Sequence, residues 1–312
     1  MRRAKYWIGA VAGVVVAATL GGCGRQQPEE VVVYTSQDEV YAEPILAEFQ
    51  KRTGIAARTV IDSEAVKTVG LVNRLLTEQD HPQCDVFWNN EEFRTRQLAA
   101  RGLFRETDGW RRLGWRTRRI VVNTNLLSLA NAPRSFHEAT NAAWRGKLAL
   151  AYPLFGTTST HFQALRQLWG DAGWQAWCRA LADNKPFLVD GNSVVVNLVG
   201  RGEAWVGFTD SDDIAAAQRE GQPVAALPVT EETLFIPNTV GLIRNCPHPA
   251  AAEKLYEFLS EQQVSQQLTE AHALEGAVLD EQTARQGLQV NWGRLLEDLE
   301  SATAESKGIF LR

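Results

Sequence analysis

One pattern constrains this chain more than any other. A short β-branched run ends in a polar tip, a helical stretch follows, and the unit repeats. Val31-Val32-Val33-Tyr34 reads as a buried strand. Thr35-Ser36-Gln37-Asp38 turns from it into a helix with Ile45, Leu46 and Phe49 on one face. Thr53-Gly54-Ile55 ends that helix and opens a second strand through Val60 and Ile61. Asp62-Ser63-Glu64 then leads to a helix with Val69, Val72, Leu75 and Leu76 at helical spacing. Cys84-Asp85-Val86-Phe87-Trp88 is a third strand, closed by Asn89-Asn90-Glu91. Strands alternating with helices imply a parallel α/β sheet with right-handed crossovers. Ligands of such sheets sit beyond the carboxyl ends of the strands. That rule gathers Tyr34 to Asp38 (with Ser36), Asp62 to Glu64 and Trp88 to Glu91 (with Asn90) along one rim.

The pattern returns after a strand at Arg118-Arg119-Ile120-Val121-Val122-Asn123, which leaves the first unit. Leu148 to Ala151 is a strand whose tip runs through Gly156-Thr157-Thr158-Ser159-Thr160-His161 into a helix with Phe162, Leu165 and Leu168. Phe187-Leu188-Val189 ends in Asp190-Gly191-Asn192-Ser193, and Ala204 to Phe208 ends in Thr209-Asp210-Ser211-Asp212-Asp213. Thr233 to Ile236 and Val240 to Ile243 look like two return strands. Pro249 to Leu259 and the tail beyond Asn291 are helical, and the tryptophans read as core. The expected fold is α/β, of two lobes. Each lobe is a mixed sheet flanked by helices, and a hinged cleft lies between facing polar rims. Lobe 1 takes residues 31–122 and about 237–275. Lobe 2 takes about 123–236 and the C-terminal helices 276–312.

The N-terminus carries a different signal. Arg2, Arg3 and Lys5 precede an uncharged run from Trp7 to Leu20, and Leu20-Gly21-Gly22-Cys23 follows. This is a secretory signal peptide over residues 1–22 with a lipobox-like end. The apolar run falls short of the ~20 residues a membrane span needs. Cleavage before Cys23 would leave its thiol to carry lipid, with residues 23–30 as a tether. Without the signal peptide the chain holds 29 basic and 37 acidic residues, about −8 in net charge. That balance argues against a nucleic-acid partner. Cys84, Cys178 and Cys246 are too scattered for a zinc site or a disulfide framework and read as free thiols.

Two constellations carry chemistry. The loop Gly156 to Thr160 opens a helix, where exposed N–H groups and the positive helix end attract an anion such as phosphate, phosphonate or carbonate. Thr157, Thr158 and Ser159 add hydroxyl donors, Gly156 permits close approach, and Asn192 is an amide partner for the same anion. The same hydroxyls would also suit an ordinary N-cap. Asp210, Asp212 and Asp213 crowd the next tip. Carboxylates there can hold a hard cation or an ammonium group, or simply stabilise the first turn of a helix. Tyr34 and Trp88 are candidates for stacking on a ligand. The cluster Arg111, Arg112, Arg116, Arg118 and Arg119 reads as a solvated face. There is no Gly-x-Ser-x-Gly elbow and no His-Glu-x-x-His, and of the histidines only His161 lies near the rim.

The chain resembles the periplasmic solute-binding proteins of ABC importers, in the ferric-iron-binding branch. The residues that carry the resemblance are Val33-Tyr34-Thr35-Ser36, Phe49-x-x-x-Thr53-Gly54-Ile55, Asp85-Val86-Phe87-Trp88, Ile236-Pro237-Asn238-Thr239-Val240 and Pro247-His248-Pro249-x-Ala251-Ala252. The resemblance implies a monomeric, exported receptor that closes on its ligand and presents it to a membrane permease. It also implies Fe3+ as a transported ligand rather than a cofactor. Ferric members use a His, a Glu and two adjacent Tyr with a synergistic anion. Here Asp38 falls at the His, Asn90 with Glu91 beside it at the Glu, and Asp212 with Asp213 at the tyrosine pair. The metal set so implied is Asp38, Glu91, Asp212 and Asp213. Gly156 to Ser159 match the anion loop and Asn192 its supporting amide. Relatives carrying phosphorylated or phosphonated solutes imply a second ligand class. A cleft enzyme acting on a phosphorylated small molecule is the alternative from outside the receptors.

Overall fold

The computed structural model describes residues 29–61 and 67–311. The signal-peptide segment with Cys23, and Asp62 to Glu64, lie outside the described residues. The first unit runs β1 (Glu30–Thr35), α1 (Glu39–Thr53), β2 (Ala56–Val60), α2 (Lys67–Thr77), β3 (Val86–Asn89) and α3 (Glu92–Ala100). Gly54 ends α1 with φ +74° and donates its N–H to the Gln50 carbonyl, a left-handed cap that favours glycine. A long strand, β4 (Trp110–Asn123), leads into the second unit. There β5 (Leu148–Ala151), α4 (Gly156–Asp183), β6 (Phe187–Val189), α5 (Asn192–Gly200), β7 (Val206–Asp210), α6 (Ser211–Arg219) and β8 (Val224–Ala226) follow. The chain returns through β9 (Phe235–Leu242) and ends in α7 (Pro249–Leu259), α8 (Gln262–Glu270), α9 (Glu281–Ala284) and α10 (Trp292–Phe310).

The strands pair in the order β2-β1-β3-β9-β4-β7-β5-β6, with β8 on β4. Strands β1, β2 and β3 are parallel, as are β7, β5 and β6. The junction is antiparallel: β9 pairs with β3 and β4, and β4 pairs with β7. Each parallel set carries apolar clusters on its two faces. Phe49, Trp88 and Leu255 lie on one side of the first set and Leu75, Phe87 and Leu98 on the other. Phe162, Trp174 and Phe208 lie on one side of the second set and Val195, Val199 and Ile214 on the other. Burial of each such Leu or Phe contributes about 1.5–3 kcal/mol. Two separate cores joined by crossing strands are the two-lobe α/β architecture expected from the sequence.

Strand β4 is the joint. Its first half, to Thr117, pairs with β9, and from Arg118 onward it pairs with β7. A register shift between Arg112 and Trp115 bends it, with Gly114 at φ +102°.

Three expectations are corrected. The two return strands are one, because Pro237 sits where β9 has only β4 beside it; pairing with β3 begins at Thr239. A proline is tolerated where its missing N–H faces no neighbour. Thr209 and Asp210 belong to β7 rather than to a loop, since Asp210 stays in register with Arg118. The tryptophans are only partly core: Trp88, Trp174 and Trp177 are buried, whereas Trp110, Trp115, Trp144, Trp169, Trp205 and Trp292 are half-buried. Cys84 and Cys178 are buried free thiols, and Cys246 is a half-buried one.

Gly114→Ala tests the joint. A Cβ there would stand 2.6 Å from Leu274 Cδ1 and 2.7 Å from the Gly276 carbonyl oxygen, on a left-handed backbone. The expected loss is about 1–3 kcal/mol, read from the midpoint of denaturant unfolding.

Candidate functional site

The strand tips of both lobes meet. On lobe 1, Ser36 Oγ donates to Asn89 Oδ1 at 2.6 Å and accepts from the Asn90 backbone N–H at 2.9 Å, locking the ends of β1 and β3 together. On lobe 2, α4, α5 and α6 each begin beside a tip, so Thr157, Asn192 and Asp212 all stand in first helical turns. Contacts cross the cleft directly. Thr160 Oγ1 donates to Glu91 Oε2 at 2.7 Å, and Arg219 Nη2 donates to the Tyr41 hydroxyl at 2.9 Å.

Two residues read as solvated organise this region. Side chains alternate along a strand, so Arg116 and Arg118 share one face of β4. Arg116 is 2% exposed and Arg118 0%. The solvated-face reading holds for exposed Arg112 and half-buried Arg111 and Arg119, which pair with Glu92, Glu257 and Glu275. For Arg116 and Arg118 it is wrong, because both point inward to buried carboxylates. Arg116 Nη1 donates to the Asn90 carbonyl (2.8 Å) and to Asn238 Oδ1 (2.9 Å). Its Nη2 donates to Asp210 Oδ2 (3.0 Å), and its Nε lies 3.2 Å from Asp212 Oδ1. One guanidinium thus touches a lobe 1 tip, the return strand β9 and two acids of lobe 2. Arg118 Nη1 reaches Asp210 Oδ1 at 2.7 Å and Asn192 Oδ1 at 2.9 Å. The visible signal was the Arg-x-Arg spacing, which strand alternation places on one face.

Thr157 Oγ1 and Asn192 Nδ2 also donate to Asp210 Oδ2, at 2.9 and 3.2 Å. Thr158 Oγ1 donates to Asn192 Oδ1 at 3.3 Å. Ser159 is turned into its own helix, where Oγ accepts from Gln163 at 3.1 Å. Gly156 has φ +53° and open space where a side chain would begin. The carboxylates of Asp210, Asp212 and Asp213 all come within 4.8 Å of one another. Asp213 Oδ2 accepts from Thr209 Oγ1 at 3.0 Å.

These neighbours set the charges. Burial acts upward on Asp210, yet Arg118 and Arg116 hold its carboxyl below the ordinary value. Asp212 is pushed up to about 7 by burial and by Asp210 and Asp38, in spite of Arg116. Asp213 is pushed well up by burial and then by Asp212, Asp210 and Asp38. Asp38 belongs to the opposite lobe, so acids from both sides act on one another. Burial also raises Glu91, whose Oε1 has no hydrogen-bond partner. His161 is driven down to about 3, by burial first and then by Arg118, and its Nε2 meets the Glu232 carbonyl at 2.8 Å. It is a neutral core histidine.

The structure therefore brings together Ser36, Asn90, Glu91, Thr157, Thr158, Asn192, Asp210 and Asp212, with Asp38 and Asp213 acting on the same acids. It removes two candidates. Tyr34 is wholly buried among Leu71, Val72 and Leu75, and its hydroxyl donates to Glu78 at 2.9 Å. Trp88 is wholly buried beside Val31, Phe49 and Leu255. Both side chains point into the layers between sheet and helix, which is the fate of inward positions on a fully covered strand. Arg116, Arg118 and Asn238 were not foreseen there. Asn238 of β9 reaches the tip after β1, its Nδ2 donating to Gln37 Oε1 at 2.9 Å.

Two α/β lobes with polar tips facing across a joint of crossing strands define a solute-binding protein. Residues 30–272 match the family model of bacterial extracellular solute-binding proteins, and the chain belongs to that family. By sequence, no curated protein matches it. Solved structures share the fold at low identity. Iron-bound HitA from Pseudomonas aeruginosa is similar at TM-score 0.78 and 16% identity, over 90% of this chain and 99% of that one. The ferric binding protein from Campylobacter jejuni is similar at TM-score 0.75 and 15% identity, over 89% and 99%. AfuA from Actinobacillus pleuropneumoniae, with fructose-6-phosphate bound, is similar at TM-score 0.71 and 17% identity, over 91% and 97%.

The acid cluster predicts a pH signature. An acid whose pKa is raised on folding binds more protons folded than unfolded, so its contribution to stability falls as pH rises through that interval. For Asp212 the interval runs from the ordinary value of 3.8 to about 7. Asp212→Asn is expected to raise the melting temperature relative to wild type at pH 8 and to leave it nearly unchanged at pH 4. Calorimetry at the two pH values checks this.

Proposed function

We propose that this protein is the lipid-tethered receptor of an ABC importer, and that its lobes close on a small solute bearing a cationic centre. The observation that carries the reading is the gathering of the Asp210, Asp212 and Asp213 carboxylates within 4.8 Å of one another on a buried rim, where burial first and then neighbouring acids, Asp38 of the other lobe among them, raise Asp212 and Asp213. Acids from opposite lobes crowd one space, and a positive guest relieves their repulsion only when the lobes approach. Such a guest favours the closed form because it binds that form better. Fe3+ is one guest of this class, since hard cations take oxygen ligands, with Asp38, Glu91, Asp212 and Asp213 as its donors. A phosphorylated or phosphonated solute bearing an amine is the second. The open space before Gly156, at the first turn of α4, favours it. There the phosphoryl group would meet the first-turn N–H groups of α4 and the Thr158 hydroxyl, since the Thr157 proton goes to Asp210, with the amine toward Asp212.

The family and the similar structures are binding proteins, which supports a receptor over a cleft enzyme. Lipid attachment at Cys23, export, a monomeric state and a permease partner belong to the same reading. No described helix is long and apolar enough to cross a membrane.

Two experiments test it. Ferric salts, aminophosphonates and sugar phosphates are screened by thermal shift, and the double variant Asp212→Asn, Asp213→Asn is compared by calorimetric titration. Affinity is expected to fall at least tenfold, about 1.4 kcal/mol, with stability retained. Unchanged affinity would refute the cationic-centre reading. Cys23→Ser is expected to move the protein from the detergent phase to the aqueous phase of a Triton X-114 partition of cells.

A further inference from the structure

The donors that the sequence offers to an anion already have one. Thr157 Oγ1 and Asn192 Nδ2 donate to Asp210 Oδ2 at 2.9 and 3.2 Å, Arg116 Nη2 to the same oxygen at 3.0 Å, and Arg118 Nη1 to Oδ1 at 2.7 Å. They come from α4, α5 and β4, and they converge on a side chain that is 2% exposed. Antiparallel pairing of Arg118 with Asp210 fixes the carboxylate's position from the backbone upward. Thr157 has a single hydroxyl proton, and it faces this carboxylate.

We propose that Asp210 is the resident counter-anion of the cleft: it occupies, from within the chain, the position between Thr157, Asn192 and the two arginines that a free inorganic anion would otherwise take. Guest capture then requires no phosphate or carbonate as a co-ligand. The proposal deepens the receptor reading, and it sets this protein's specificity apart from a site completed by an outside anion. An added oxyanion at these donors would stand against a fixed carboxylate, and like charges that close disfavour one another. Asp210 also neutralises part of the charge on Arg116 and Arg118. Without it, two buried guanidiniums would face each other with one carboxylate fewer, and burying unpaired charge is unfavourable.

The test uses inorganic phosphate and needs no knowledge of the guest. Melting temperature and calorimetric titration are followed with phosphate against chloride at matched ionic strength. Wild type is expected to show no phosphate-specific change. Asp210→Ala is expected to melt lower in chloride and to recover with phosphate or acetate, by about 2–4 °C at ten times Kd. That recovery should vanish when Thr157→Ala is added. If the alanine variant does not fold, Asp210→Asn keeps the shape and should gain a phosphate-specific rise that wild type lacks. The proposal is overturned if wild type binds phosphate and Thr157→Ala abolishes that binding. It is also overturned if neither Asp210 variant gains any response to phosphate. Failure of the wild type to bind any guest would count against the receptor reading and leave the phosphate result standing.

Discussion

The ion-pair network of Arg116, Arg118, Asp210 and Asp212 is the interaction on which the cleft depends. It sits where β4 changes partner from β9 to β7: backbone pairing sets Arg116 beside β9 and Arg118 opposite Asp210, and Asp212 follows in the first turn of α6. Ion pairs this deeply buried gain little net stability, because desolvation offsets attraction. Their value is geometric: breaking one leaves a charge uncompensated in the interior. The arginines therefore hold the acid tips of lobe 2 in one arrangement, and Arg116 ties that arrangement to the Asn90 carbonyl of lobe 1.

Charge in the cleft is unevenly compensated. Asp210 has both arginines, a threonine and an amide around it and stays ionised. Asp212 has one side of Arg116, and Asp213 has the Thr209 hydroxyl. Three carboxyls of the same type, three residues apart at most, thus fall into different protonation regimes. The first is held by the architecture around it, and the other two are not matched one to one by a cation.

Much of the fold was legible in the sequence because buried parallel strands and amphipathic helices leave distinct periods. Val31 to Tyr34, the helix face of Ile45, Leu46 and Phe49, and the terminal helix beyond Asn291 all formed where the pattern placed them. The rim was legible as a set of tips. Which side chains turn toward the cleft was not, because a strand's two faces look alike when both are covered. Tyr34 and Trp88 were misassigned for that reason. Arg116 and Arg118 were missed because a charged side chain reads as solvent-facing until its partner is known, and Asp210 lies far away in sequence. The single strand β9 escaped because Pro237 ordinarily ends a ladder.

The opposite face of β4 has its own consequence. Thr117 Oγ1 donates to Glu275, and Arg119 donates both to Thr117 Oγ1 (2.7 Å) and to Glu275 Oε2 (2.8 Å). Glu275 is thereby clamped behind the strand while Arg116 reaches across in front. Thr117 and Arg119 are thus fastened from behind by one carboxylate, so the strand is gripped on both faces at the point where it exchanges β9 for β7.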